Sequence, residues 1–503
     1  MQAFLSLVGP LWSGGAVPAL RHGGDAVTRT ALRDAALRLA STLHARGLRT
    51  GDRVVVCAAG RPAWVALLLA CHRLGVVHVP VNTGYQHDEL AHVLTDSGAL
   101  LAVVDPTTSA RVRSAAPVGC AVLDLAELAR CDDAPLPHDT PFPHDEDVAL
   151  LIYTSGTTGK SKGCMLTFAN VATAVGELSA LWEIAPDDVV VHALPLFHVH
   201  GLCVALHGAL MRGACTHLLP AFSTEAVVAA VEAGGTVFMG VPTMYARLID
   251  HLDAHEEAGA VLARARLFCA GSAALMPDFL DAFERHTGQR IVERYGMSET
   301  LITFSNPLHP ADARRAGTVG RALPSVVARV VDDAGDDVNA GEAGELWVKG
   351  PSVMRGYWRN DVDTAAAFSA DGFLKTGDVV VRDADGYVSV LGRASTDIVK
   401  VGGYKIGTRE IEEQLARHPS VKEVAVVGVD DREWGQRIVA CIALHAGALA
   451  PTLVELQDVV TLQAAKKPRG LVVLPALPKN ALGKVQKRQL MQQLKSGVLH
   501  EIR

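Results

Sequence analysis

Short apolar runs rich in Val, Ile and Leu alternate along this chain with longer stretches of helical periodicity. Arg53–Cys57 reads as a buried strand and Pro62–Leu74 as the helix that follows it. Val76–Pro80 reads as a second strand, and Asp88–Asp96 as a helix with an acidic residue near its start. Val148–Tyr153, Val189–Ala193, Thr236–Met239 and Leu267–Ala270 are further strand candidates, each followed within a few residues by Gly, Pro or Ser. Near-continuous apolar strands separated by helices are the pattern of parallel sheets covered on both faces. The stretch 105–143 reads largely as surface connection. No internal repeat or low-complexity tract interrupts the pattern.

The chain has 503 residues, 49% of them hydrophobic and 20% charged. That is too long for one ordinary domain and ample for large buried cores. The longest uninterrupted apolar run, Ala63–Cys71, is far short of the roughly 20 residues that span a bilayer. Met1–Trp12 has no basic segment ahead of its apolar residues, so no signal peptide is expected. The net charge of −7 points to no nucleic-acid partner. The nine cysteines include no CxxC pair, and several stand singly in apolar runs, as buried reduced thiols do. The charge is uneven, however. Residues 394–503 carry 16 Lys and Arg against 11 Asp and Glu, in contrast to an acidic body. This sets a boundary near Gly392-Arg393-Ala394-Ser395-Thr396-Asp397, just after the strand candidate Tyr387–Leu391.

The most informative segment is Tyr153-Thr154-Ser155-Gly156-Thr157-Thr158-Gly159-Lys160-Ser161-Lys162-Gly163, between a predicted strand and a predicted helix. Its glycines let backbone N–H groups turn toward an anion, and its hydroxyls and lysines add donors and charge. It reads as a phosphate cradle. It is not a Walker A loop, because the first glycine of that motif would fall at Thr154. His198 and His200, two apart, would share one face of a strand, but no third metal ligand stands near them in sequence.

Tyr153–Gly163 resembles the signature loop of the adenylate-forming superfamily, which includes acyl-CoA synthetases, luciferases and peptide-synthetase adenylation domains. The other motifs of that family follow in order. Leu194–Gly201 is similar to the acyl-pocket motif and Tyr295-Gly296-Met297-Ser298-Glu299 to the adenine and magnesium motif. Thr376-Gly377-Asp378 is similar to the ribose motif, Gly392–Glu412 to the hinge and thioester segment, and Pro478–Lys484 to the C-terminal lysine motif.

The resemblance implies an α/β fold: a large N-terminal domain of helix-covered sheets (1–393) and a small mobile α+β C-terminal domain (394–503), with a hinge at about 392–397. It implies an AMP-forming acid–thiol ligase. A carboxylate and ATP would give an acyl-adenylate and pyrophosphate, and the thiol of coenzyme A would then displace AMP. Mg²⁺ would be bound by Thr157 and Glu299. ATP would be held by Thr154, Ser155, Gly156, Thr157, Thr158, Gly159 and Lys160, by Ser272, Tyr295, Gly296, Met297 and Ser298, and by Asp378, Arg393 and Lys484. Of these, Lys160, Thr157, Glu299 and Lys484 would be catalytic. Gly402, Gly403, Tyr404 and Lys405 would receive CoA, while Lys466–Arg469 is either a further CoA contact or a solvated charge cluster. Asp378 is equally readable as a turn residue after Gly377. Ser395 departs from the Asp or Lys usual two residues after the hinge arginine.

For the carboxylate, His198, Arg247, Ser272, Arg294 and Met297 fall in segments expected to line the acyl pocket. A guanidinium buried there is costly unless an anion meets it, and a second substrate carboxylate is the natural partner. Each arginine could instead be exposed, or paired with Glu293 or Asp250. The segments look like malonyl-CoA synthetase, with methylmalonate as the nearest variant substrate. The competing readings are a synthetase for another short carboxylate, an enzyme that loads a carrier protein, and a regulatory protein that only binds nucleotide. The expected partners are small molecules, with no nucleic acid and no membrane. The expected compartment is the bacterial cytoplasm, with the mitochondrial matrix as the alternative.

Overall fold

The structure is a computed structural model. It describes residues 1–131, 135–154, 161–273, 275–401, 404–432, 434–461, 466–480 and 483–502, with 400, 404 and 405 described by backbone alone. Internal contacts divide the chain into two compact units. One comprises 1–327 and 348–374, the other 328–347 and 375–503.

The first unit is built on two sheets. In the nine-stranded sheet, Val292–Tyr295, Leu267–Ala270, Val237–Gly240, Val189–His192, Cys215–Leu218 and Pro18–His22 lie side by side and run parallel, with short antiparallel strands at both edges. In the seven-stranded sheet, Val148–Thr154, Val77–Pro80, Arg53–Cys57, Leu101–Val104 and Ala121–Asp124 are parallel neighbours. The expected strands Arg53–Cys57 and Leu267–Ala270 and the helix Pro62–Leu74 have the bounds read from sequence. Their buried runs explain why: Val54–Cys57 and Leu267–Ala270 are buried throughout. The helix Pro62–Leu74 opens on a proline, whose missing N–H is no loss there, and stops at the left-handed Gly75. The stretch 105–143, expected to be largely surface connection, also carries three short elements. A helix (Ser109–Ala115), a strand (Ala121–Asp124) and a one-turn helix (Leu125–Leu128) occupy part of it. The strand adds to the sheet edge, where its half-exposed, mixed composition masks the signal.

The second unit holds nearly all of a four-stranded sheet (Val327–Val331, Ala343–Lys349, Leu374–Arg382, Val388–Arg393). It also holds a five-stranded one centred on the hairpin Val421–Asp431 and Gly435–Leu444. The latter packs Val399, Ile406, Ile411, Val426, Ile438 and Leu456 into its own apolar core. Among the described residues, no helix is long and apolar enough to cross a membrane.

Three histidines lie wholly inside the first unit: His72, His78 and His207. His207 Nδ1 donates to the Leu202 carbonyl at 2.8 Å, so its Nε2 carries the lone pair and accepts from His72 Nε2 at 3.0 Å. His72 Nδ1 and both ring nitrogens of His78 have no hydrogen-bond partner among the described residues. Burial disfavours the charged rings, pushing His78 down to about 3 and His207 to about 4. These rings stay neutral in the fold but take up protons on unfolding once pH falls below 6.5. Stability should therefore drop on acidification from pH 7 to 5 by about 1.4 kcal/mol per pH unit per histidine below 6.5. Denaturant titrations at the two pH values measure this, and His78→Leu should flatten the dependence. Equal stability at both would show that the folded rings accept protons.

Candidate active site

The strands Val148–Thr154 and Lys162–Thr167 pair antiparallel, with Thr154 opposite Lys162. Residues 155–161 connect these two oppositely running strands. Of that segment, Ser155, Gly156, Thr157, Thr158, Gly159 and Lys160 lie outside the described residues. Sequence reading placed a helix directly after it. A strand intervenes, and the helix begins at Phe168, where Thr167 and Asn170 cap each other. The stem is fixed by side chains. Tyr153 donates its hydroxyl to Asp96 at 2.6 Å, and His92 Nε2 donates to the Ser161 carbonyl at 2.7 Å. Lys162 pairs with Asp363 at 2.7 Å, with its ammonium 5.3 Å from the centre of the Tyr357 ring.

Tyr295–Glu299 leaves the strand Val292–Tyr295 through a tight turn. A side chain on Gly296 would put its Cβ 1.8 Å from the Leu301 carbonyl oxygen, so glycine is obligatory there. Met297 and Ser298 are half-buried, and the Met297 N–H reaches Thr300 Oγ1 at 3.4 Å. Glu299 is buried, and its Oε1 accepts the Tyr357 hydroxyl at 3.0 Å. Tyr357 was not singled out from sequence. Its partner lies 58 residues away, beyond the reach of any local pattern.

Arg294, one residue before that turn, is 4% exposed. Its Nε and Nη2 have no hydrogen-bond partner among the described residues. Burial lowers its pKa from 12.5 to about 10. The guanidinium lies flat on Gly271, where an added Cβ would meet Cζ at 2.5 Å. His200, also buried, sets its Nδ1 3.2 Å from Ser272 Oγ, while its Nε2 has no partner among the described residues. Burial holds this ring's pKa well below the usual imidazole range, with Arg294, His192 and His198 adding to the effect. Ser272 itself has a left-handed backbone, φ +69°. The strand geometry expected for the two histidines is corrected. His200 opens a π-helix, His200–His207, and His198 precedes it with its ring 4.5 Å from that of Phe197. π-helical turns are rare and often mark functional sites.

Arg247 is placed differently from Arg294. It is exposed on the helix Pro242–Ala254, over the Phe222 ring at 5.0 Å. That helix buries Tyr245, Leu248, Ile249 and Leu252, so residue 247 falls on its outer face. The burial argument made for both arginines therefore holds for Arg294 and not for Arg247.

In the second unit, buried Asp378 pairs with Arg393 Nε at 3.0 Å, and Gly377 turns with φ +71°. Lys484 is exposed on a short hairpin in which Lys479 bridges Val485. Its N–H reaches Asn480 Oδ1 at 3.0 Å. Three residues on, Lys487 is largely buried and spends its three donors on Asp397 (2.6 Å), Glu412 (2.7 Å) and Thr408 (2.7 Å). These carboxylates raise its pKa against the opposing effect of burial. Of the basic run at 466–469, Lys466 pairs with Glu410 at 2.6 Å and Arg469 stacks on Trp434 at 3.9 Å. Gly402 and Gly403 lie outside the described residues, as do the side chains of Tyr404 and Lys405.

A family model described as AMP-binding enzyme matches residues 14–358, and one described as AMP-binding enzyme C-terminal domain matches 410–484. A malonate–CoA ligase of Arabidopsis thaliana is 36% identical over 489 residues, covering 90% of this chain and 79% of that protein. A sulfoacetate–CoA ligase of Cupriavidus necator is 37% identical, covering 93% and 92%. The crystal structure of ATP-bound MatB from Rhodopseudomonas palustris superimposes with a TM-score of 0.90 at 35% identity, covering 98% of each chain. Fold, motifs and relatives agree, and the chain belongs to the AMP-binding enzyme family, among its acid–thiol ligases.

Proposed function

We propose that the protein is an ATP-dependent malonate:CoA ligase that also accepts methylmalonate. One malonate carboxylate attacks the α-phosphorus of ATP and expels pyrophosphate, giving malonyl-AMP. The CoA thiol then attacks the acyl carbon, forming malonyl-CoA and releasing AMP. The observation that carries the choice of acid is the buried Arg294 guanidinium. Its unpartnered Nε and Nη2 form one edge of the fork, the pair of donors that matches a carboxylate bidentately. A buried cation edge with no partner among the described residues is strongly unfavourable, which supports a partner on the ligand. The names of relatives that act on malonate, and on another small acid with a second anionic group, support the same reading.

In this reading His198, Ser272, Met297 and the exposed Arg247 complete the acyl site. Thr154–Lys160 cradles the ATP phosphates, Tyr295–Ser298 with Ser272 takes the adenine side, and Asp378 and Arg393 take the ribose. Glu299 suits Mg²⁺, since it offers a carboxylate oxygen oriented by Tyr357. With Thr157 it would hold the ion that neutralises phosphate charge. Lys484 supplies a compact positive charge at the α-phosphate, and Gly402–Lys405 receives the pantetheine of CoA. Residues 394–503 act as the mobile part, turning at about 392–397.

Arg294→Met should lower kcat/KM for malonate by about 10²-fold, roughly 3 kcal/mol, while activity on propionate holds or rises. Gly271→Ala, which crowds the same guanidinium, should shift the preference in the same direction. Arg247→Ala should cost less, because water already screens an exposed charge. AMP release with malonate, propionate and sulfoacetate measures all three. An unchanged malonate-to-propionate ratio in Arg294→Met would overturn the proposal, and a preference for sulfoacetate would redirect it.

Lys484→Ala should abolish malonate-dependent pyrophosphate release yet still convert supplied malonyl-AMP and CoA to the thioester. Loss of both half-reactions together would remove Lys484 from the adenylation step.

A further inference from the structure

We infer that His200 is a second donor to the remote carboxylate of the substrate and so a specificity-determining residue of the acyl site. The inference rests on the malonate reading above and extends it to a residue that no motif resemblance assigned a role.

Three observations converge. His200 is 3% exposed, and its Nε2 has no hydrogen-bond partner among the described residues. The same condition holds for Nε and Nη2 of Arg294, the charge that most strongly disfavours protonation of the His200 ring after burial itself. Two neighbouring, buried polar groups with unfilled hydrogen-bonding capacity from different parts of the chain are rare in a native interior, where such groups are almost always paired. One anion would satisfy both.

The Ser272 contact is compatible with the tautomer this role needs, since a serine hydroxyl can donate to Nδ1. A neutral imidazole has one N–H and one lone pair. When Ser272 donates its hydroxyl to Nδ1 at 3.2 Å, the proton of the ring resides on Nε2. That nitrogen then presents a donor, as an anion beside Arg294 requires. The opposite tautomer would leave a bare lone pair on Nε2 with no donor bonded to it. The π-helix is what makes the placement possible. Gly201 follows His200 so tightly that a Cβ there would come within 2.4 Å of the Pro195 carbonyl oxygen.

Two amide variants separate the roles of the two ring nitrogens. His200→Gln places an amide N–H near the position of Nε2 but gives up the Ser272 partner at Nδ1. His200→Asn keeps a partner for Ser272 and removes the Nε2 donor. The expected result is a KM for malonate within about threefold of wild type for His200→Gln and raised at least about 10-fold for His200→Asn. For both variants, kcat/KM for propionate and the calorimetric affinity for AMP should stay near wild type. Near-normal malonate KM in His200→Asn with a raised value in His200→Gln would overturn the inference, leaving His200 only to orient Ser272. Unchanged KM in both would overturn it, and so would equal loss with malonate and propionate. Arg294→Met assayed alongside keeps the two claims apart. If it shifts the malonate-to-propionate ratio and the His200 variants do not, this inference fails and the malonate reading stands. If Arg294→Met leaves the ratio unchanged, the failure lies in the malonate reading itself.

Discussion

An ionised guanidinium taken out of water must be met by an anion or by a full set of acceptors, and at Arg294 the described residues supply neither to one edge of the group. Much of the surrounding architecture exists to hold it so. Its strand, Val292–Tyr295, is flanked by Leu267–Ala270 on one side and Phe304–Ser305 on the other, so the backbone on which the guanidinium stands is braced by ladders at both edges. Gly271 supplies a flat floor on which the planar group rests, and a single methyl there would occupy the same space. A donor pair placed in advance needs no rearrangement on meeting an anion, which is the advantage the proposed role would draw from this arrangement.

The sheet explains how residues far apart in sequence converge. Val189–His192, Val237–Gly240, Leu267–Ala270 and Val292–Tyr295 are parallel neighbours, so their carboxyl ends share one rim. Each is followed by a segment bearing candidates: Phe197–His200, the helix with Arg247, Gly271–Ser272, and Tyr295–Glu299. Parallel α/β sheets bind ligands at this rim because loops there diverge from a rigid base. Chemistry at the ends of four strands can therefore be varied without disturbing the runs of Val, Leu and Phe that form the sheet.

Much of this was legible in the sequence. Central strands such as Arg53–Cys57 and Leu267–Ala270 are apolar on both faces and end on turn-forming residues, so their limits are written locally. The motif order gave the family and most candidate residues. The exposure of Arg247 was also written there, in the spacing of Tyr245, Leu248, Ile249 and Leu252. Other features could not be read. The strand Lys162–Thr167 exists because it pairs with Val148–Thr154 across the loop, and its own residues are an undistinguished mixture. His200 meets Ser272 72 residues away, and Lys487 meets Thr408 79 residues away. Periodicity reports which face of an element is buried, but carries nothing about which distant side chain it meets there.

The network around Lys487 bears on how such chains can be recombined. Its three acceptors, Asp397, Thr408 and Glu412, all follow residue 393, and Arg488 on the same helix reaches Ser395 at 3.3 Å. The bond that ties Asp397 back to Arg393 uses the Arg393 backbone N–H, which any residue but proline supplies. A segment exchanged at the 393/394 junction would carry Lys487 and its three acceptors together, with the Asp397 bond to residue 393 made to a main-chain group. A junction placed at 410 would instead divide Lys487 and Glu412 from Asp397 and Thr408. The donor and recipient would then each have to bring carboxylates and an ammonium that match in number. The seam of the chain is therefore a matter of charge accounting as much as of sheet boundaries.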